Sequence, residues 1–213
     1  VVESTGEGTD TVEASFSFTL PSVYYQGQLN PTSNEEIENL RLTVIDDGVN
    51  ISWGYAGTGN ELNNIIWGNQ FGNLLDGGVG FDVLMGGDGN DTYIVRSLFD
   101  QAQEYAFNQF GNILFLLDGN GNPVRDSHGD YVFQDAGGYN DHVKLQFDDP
   151  SGIDRYFMPD YIEELTVESA WAGRIEGNEE DNTIRTGSGN DTINGGAGAD
   201  RMDGFLGDDV YYV

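Results

Sequence analysis

An acid or amide side chain recurs every nine residues along two stretches of this chain, with a large residue, apolar or aromatic, two positions after it. From Gly59 the sequence reads GNELNNIIW, GNQFGNLLD, GGVGFDVLM and GGDGNDTYI; from Gly177 it reads GNEEDNTIR, TGSGNDTIN, GGAGADRMD and GFLGDDVYY. Position six holds Asn64, Asn73, Asp82 and Asp91 in the first stretch and Asn182, Asp191, Asp200 and Asp209 in the second. Position eight holds Ile66, Leu75, Leu84 and Tyr93, then Ile184, Ile193, Met202 and Tyr211. The oxygens offered are Asp and Asn side chains together with carbonyls exposed by glycine turns. These hard donors suit Ca²⁺, which takes six to eight oxygen ligands in flexible geometry. Zinc is disfavoured, because cysteine is absent and the histidines are His128 and His142.

The elements that must position these oxygens follow from the same period. Glycines at alternate positions mark backbone that turns sharply or visits positive φ, so the first six residues of each nonapeptide form a loop. The remaining three, centred on position eight, form a short strand. Two nonapeptides make one full turn, and successive turns stack their strands into two parallel sheets. Only one large residue in nine faces inward, too little burial to offset the ordering entropy. Asp191 and Asp209, two nonapeptides apart, then lie about 5 Å from one another. Bare carboxylates at that spacing repel by roughly 3 kcal/mol at an effective dielectric of 20, and a cation reverses the sign.

A larger repeat contains the smaller one. The nonapeptide block recurs at an offset of 118 residues, carrying Asn60 to Asn178, Asp91 to Asp209 and Val95 to Val213. Upstream, Glu36-Ile37-Glu38-Asn39-Leu40 resembles Tyr161-Ile162-Glu163-Glu164-Leu165, and Asp10-Thr11-Val12 resembles Asp141-His142-Val143. The expected organisation is two units. The first, 1–95, comprises a strand spacer (1–56) and a roll (57–95); the second, 96–213, comprises a spacer (96–172) and a roll (173–213). The second spacer carries about 30 extra residues near 107–137, which read as a hairpin of Ile113–Leu117 and Tyr131–Val132–Phe133 around a turn-rich stretch. Strands are also expected at Thr11–Leu20, Leu40–Ile45, Val143–Phe147 and Leu165–Val167, and the one place for a helix is Leu98–Phe107. The predicted class is all-β: parallel β-roll blocks with flanking strand spacers and an inserted hairpin.

Composition narrows the function. With 37 acidic against 8 basic residues, the formal net charge is −29. That field repels nucleic acid and anionic lipid and attracts cations. Twelve Phe, eleven Tyr and three Trp argue against disorder, and 31 glycines serve turns. No apolar run is long enough to cross a bilayer, so no membrane insertion is expected. The start at Val1, Val2 and Glu3 lacks the positive and apolar regions of a signal peptide and is not Met, and Val213 directly follows a nonapeptide, so the sequence reads as a processed protein or, in preference, a fragment of a longer one.

GGVGFDVLM, GGDGNDTYI and GGAGADRMD resemble the GGxGxDxUx nonapeptides of RTX, or haemolysin-type calcium-binding, proteins. The spacers resemble linkers between RTX blocks of large secreted bacterial proteins, so the resemblance covers most of the chain except about 22–34 and 107–137. It implies a parallel β-roll binding several Ca²⁺ ions between turns, and export through a type I secretion channel to a calcium-rich exterior. Carried over by position, it implies inter-turn sites at Asn64 with Asp82, Asn73 with Asp91, Asn182 with Asp200, and Asp191 with Asp209. It adds carbonyls of Gly78, Gly80, Gly87, Gly89, Gly196 and Gly198, with Asn90 or Asp208 as extra ligands. The chain departs from the pattern where Asn replaces Asp at 64, 73 and 182, and where Gly-Phe-Leu-Gly at 204–207 lacks a glycine. Asp100, two nonapeptides beyond Asp82, is a candidate extension of the first roll.

Other features read less sharply. The alternative for the acidic loops is Asx turns without metal, although solvated turns would not need acid at one stacked position. Asp118-Gly119-Asn120-Gly121-Asn122 starts like a calcium loop but lacks the Glu at position 12, and a hairpin turn fits it better. His128 beside Asp126 and Ser127 has no triad geometry, and neither HExxH nor GxSxG occurs. Tyr24, Tyr25, Trp53, Tyr55, Trp67, Tyr139 and Trp171 serve either as roll caps or as a sugar-stacking surface. The expectation is a non-enzymatic, calcium-folded module of a secreted or cell-surface protein such as an adhesin, with a glycan or protein ligand at 107–137. The alternatives are a non-catalytic C-terminal part of a lipase, metalloprotease or polysaccharide epimerase, or a carbohydrate-binding module.

Overall fold

A computed structural model describes residues 8–22, 24–25, 28–29, 37–46, 51–104, 122–123, 140–147 and 154–213. The hairpin expected at 107–137, with Tyr139 and His128, lies outside these residues apart from 122–123. The described residues contain strands and turns but no α-helix.

Three parallel sheets form the walls of a solenoid. One wall is β1 (Thr11–Ala14), β5 (Asn39–Leu42), β9 (Ile65–Trp67), β11 (Val83–Met85) and β13 (Gln101–Gln103). Facing it is an eight-stranded wall of β2 (Phe18–Thr19), β8 (Ala56–Thr58), β10 (Leu74–Asp76), β12 (Thr92–Val95), β14 (His142–Leu145), β16 (Glu164–Val167), β18 (Thr183–Arg185) and β20 (Arg201–Asp203). The third is β15 (Arg155–Phe157), β17 (Arg174–Glu176), β19 (Thr192–Asn194) and β21 (Val210–Tyr212). Two small antiparallel pairs, β3 (Tyr24–Tyr25) with β4 (Gln28–Leu29) and β6 (Val44–Asp46) with β7 (Ile51–Trp53), branch from the first spacer.

Stacking of every second nonapeptide is observed: Ile66 pairs with Leu84, Leu75 with Tyr93, Ile184 with Met202 and Ile193 with Tyr211. The middle residue of each three-residue strand points inward, so Ile66, Leu75, Leu84, Tyr93, Ile184 and Ile193 are all fully buried. Tyr211 is instead 44% exposed, because β21 is the last strand of its wall. Alternation within such short strands leaves the flanking residues half-buried, which is why each turn contributes so little core.

The helix expected over Leu98–Phe107 is not formed in its described part. Gln101–Gln103 is instead β13, parallel to β11, with Ala102 buried opposite Leu84. The register set by the turn below overrides the helical reading, since Asp100 and Ala102 take the places of Asp82 and Leu84 one turn later. Asp100 thus extends the first roll.

The eight-stranded wall crosses residue 95 without a break, because β12 pairs directly with β14, Thr92 opposite His142. The copies related by the larger repeat also change walls. Strand β9 lies in the five-stranded wall but its counterpart β18 in the eight-stranded one; β10 lies in the eight-stranded wall and its counterpart β19 in the four-stranded one. The two copies are therefore half a turn out of phase.

Candidate metal centre

Each nonapeptide places its position-six side chain just before a strand, at the rim where loop meets wall. There the side chain reaches the turn before it. Asp82 Oδ1 accepts from Asn64 N at 2.8 Å, Asp100 Oδ1 from Asp82 N at 3.1 Å, Asp91 Oδ1 from Asn73 N at 2.5 Å and Asp141 Oδ1 from Asp91 N at 2.6 Å. In the second roll Asp200 Oδ1 accepts from Asn182 N and Asp209 Oδ1 from Asp191 N, both at 3.0 Å. The spacers follow the same rule, with Glu38 Oε2 accepting from Asp10 N and Glu163 Oε2 from Asp141 N. These acceptors run from turn to turn as a ladder of backbone amides and carboxylates.

One oxygen of each carboxylate is thereby used. At Asp82, Asp91 and Asp191 the second, Oδ2, is buried without a hydrogen-bond donor. Leaving a buried carboxylate oxygen without a partner is costly, so such atoms call for a cation or a proton. Burial pushes the Asp91 carboxyl up to about 8, with the charge of Asp141 adding to the effect and the Asn73 amide opposing it. Burial likewise raises Asp82 to about 6, opposed by the Asn64 amide.

In the loops of Asp82 and Asp91 the turns bring backbone carbonyls close to the glycines. Gly78 and Gly87 sit at φ +89° and +90°, and a Cβ there would press on the carbonyls of Asn60 and Asn69, one turn earlier. A Cβ at Gly77, Gly86, Gly195 or Gly204 would collide with Oδ2 of Asp82, Asp91, Asp200 or Asp209. The glycines thus clear a space shared by one carboxylate and the carbonyls of the neighbouring turn. Gly80, Gly89, Gly196 and Gly198 stand in the same loops, also at positive φ. This donor set, all oxygen with net negative charge, fits Ca²⁺.

The asparagines behave differently. Asn64 Nδ2 donates to Glu38 O at 2.8 Å, Asn73 Nδ2 to Gly54 O at 3.0 Å and Asn182 Nδ2 to Ile162 O at 3.1 Å. Their Oδ1 atoms accept from Asn60 N, Asn69 N and Asn178 N. Asn60 and Asn178 return the contact through Oδ1, which accepts from Asn64 Nδ2 and Asn182 Nδ2. In these turns the amide nitrogen makes the contacts that close the loop. Asn90 and Asp208 lie at position five, where Asp208 N donates to Asn190 Oδ1.

Sequence reasoning missed Glu104 and Asp141. Together with Asp91 they form a buried group whose ligand oxygens lie within 4.8 Å of one another. Position helps to find them in retrospect: Glu104 follows β13 as Gly86 follows β11, and Asp141 precedes β14 as Asp91 precedes β12. The signal is hidden in the sequence because residues 105–140 separate the two acids.

Among the described residues, Tyr55, Trp67 and Trp171 do not form one surface. Trp171 is buried edge-on against Phe147, with ring centroids 5.6 Å apart, whereas Trp67 lies beneath Arg41 and Tyr55 is exposed. The side chains of Tyr24, Tyr25 and Trp53 lie outside the described residues.

Comparison with known proteins agrees with this geometry. The family model of the RTX calcium-binding nonapeptide repeat matches four copies, over residues 58–94 and 176–211. Searches of curated proteins and of solved structures returned no match. With its repeat loops, stacked acids and parallel walls, the chain thus carries RTX calcium-binding nonapeptide repeats in a β-roll fold, which make it a calcium-binding module.

Proposed function

We propose that this module is folded by calcium after export and serves a larger secreted or cell-surface protein, such as an adhesin, without catalysing a reaction itself. The observation that carries the reading is the set of buried, unpartnered Oδ2 atoms of Asp82, Asp91 and Asp191, the first two in loop space that Gly77 and Gly86 keep clear of any side chain. In low calcium these carboxylates, a net charge of −29 and a one-residue-per-strand core oppose folding. Calcium binds the stacked turns and not the extended chain, so it stabilises the fold by mass action. Extracellular modules of this kind bind at about 10⁻⁴–10⁻³ M, a range that separates the cytosol from the exterior. Secretion by a type I channel follows from the family resemblance.

The proposed ions sit between stacked turns: at Asp191 with Asp209, at Asp82 with Asn64 and Asp100, at Asp91 with Asn73, and at Asp200 with Asn182. Each is completed by glycine-loop carbonyls, including those of Gly78, Gly87 and Gly196. Acid-on-acid steps hold their ions more tightly than steps with Asn64, Asn73 or Asn182, whose amides already close the loop. A glycan or protein ligand at 107–137 is the proposed adhesive function.

Titrating the chelated protein with CaCl₂, with MgCl₂ as control, tests this by far-UV circular dichroism. A cooperative gain of β-signal with calcium alone, weakened in Asp191→Ala/Asp209→Ala, is expected. A chelated protein already fully folded and indifferent to calcium would overturn the reading.

A further inference from the structure

Asp91, Glu104 and Asp141 are all essentially fully buried, yet each carries an acidic group. Glu104 and Asp141 lie outside the stretches matched by the repeat family. Position one of a nonapeptide is elsewhere mostly glycine, because a Cβ there strikes the position-six side chain five residues later. At Glu104 that constraint is lifted, since its position-six partner, Asp141, follows only after residues 105–140. A side chain can therefore enter the loop space, and the one present is a carboxylate.

The surroundings hold that carboxylate in place. The Tyr93 hydroxyl donates to Glu104 Oε1, while Gly86 N donates to the same hydroxyl at 2.9 Å. Asp141 is held by its ladder bond from Asp91 N, and Asp91 by its bond from Asn73 N. Asp91 Oδ2 remains without a donor, in the loop space that Gly86 leaves open. Two ligands on opposite sides of a calcium ion at about 2.4 Å are about 4.8 Å apart, so oxygens within 4.8 Å of one another fit one coordination sphere.

We infer that Asp91, Glu104 and Asp141 form a three-carboxylate calcium site, which replaces the simple Asp91–Asn73 step by bringing in Glu104 and Asp141 from outside the nonapeptide loops, joins the first roll to the second spacer and ties together the two ends of the 105–140 segment. The inference rests on the calcium reading above but makes its own demand. Three carboxylates supply more charge than any glycine-loop site, so this site binds first and takes trivalent lanthanides readily. It also fixes the start and end of a long excursion, whose closure entropy would otherwise oppose pairing of β12 with β14.

The test is anomalous diffraction from crystals of the full chain soaked with TbCl₃, combined with calcium isotherms of wild type and Glu104→Gln. The expected result is a peak bounded by the three carboxylates, with the tightest isotherm step weakened roughly 100-fold in Glu104→Gln and later steps unchanged. Peaks at Asp82 and Asp191 with none here, or superimposable isotherms, would overturn this site alone. Absence of peaks anywhere would overturn the calcium reading with it. Should Glu104→Gln fail to fold, the wild-type diffraction decides.

Discussion

The loops with Asn at position six and the loops with Asp there share a backbone path but close it differently. In GNELNN, GNQFGN and GNEEDN position six is Asn, and its amide nitrogen donates into carbonyls at 2.8 to 3.1 Å. In GGVGFD, GGDGND and TGSGND it is Asp, and an oxygen is left buried with no donor. An amide brings its own protons to the carbonyls around it; a carboxylate needs a positive charge from outside. On the function proposed above, one fold contains metal-independent and metal-dependent turns, chosen by a single atom, and the Asn turns are the template on which the Asp turns assemble once calcium arrives.

Exchanging the two chemistries breaks the comparison most severely. Asn73→Asp sets a buried carboxylate against Gly54 O and should destabilise the chelated protein by about 3 kcal/mol in urea unfolding. An unchanged midpoint would mean that the amide does not close the turn. Acidification of the chelated protein comes next. Asp91 at about 8 and Asp82 at about 6 hold protons in the folded state that the unfolded chain takes up only near pH 4. Their stabilising contribution is therefore present at low pH and is lost as pH rises through about 6 and then about 8. Between pH 8.5 and 5 the gain should be about 3 kcal/mol or more, shrinking in Asp91→Asn, which separates it from the general fall in charge. Calcium binding should weaken over the same interval, since protons and cations compete for those oxygens.

A smaller effect sharpens the comparison. Asp82→Asn should stabilise the chelated protein by about 1–2 kcal/mol and reduce the rise in melting temperature that calcium produces. Equal calcium responses in variant and wild type would sink the idea that Asp82 is a ligand. Smallest is Phe205→Gly. Phe205 occupies φ +57° where the loops of Asp82, Asp91 and Asp200 have Gly78, Gly87 and Gly196, and it is 62% exposed, so about 1 kcal/mol should be gained in thermal unfolding.

Much of this was legible because the period is carried by adjacent residues. Inward residues, strand positions and the stacking of alternate nonapeptides all follow from positions six and eight, and Leu84 opposite Ile66 is where the spacing puts it. Three things were not legible, each for a physical reason. The asparagines read as defective ligands, whereas their second function, donating, depends on Glu38, Gly54 and Ile162 carbonyls brought in by the spacers. Gln101–Gln103 read as helix because its strand character comes from β11 beneath it and not from its own residues. Glu104 and Asp141 meet only because β12 pairs with β14 across the 105–140 excursion, which no local pattern announces.

The half-turn offset between the copies has a geometric consequence. A duplication spanning a whole number of turns would superpose by simple sliding, so that like residues looked the same way. Here the operation is a slide with a half rotation, the motion of a screw. Ile65 and Trp67 flank the inward residue of β9 in one wall, and their counterparts Thr183 and Arg185 flank that of β18 in the opposite wall. The outer faces of the two copies thus point in opposite directions, and a second application of the same screw would restore the first orientation.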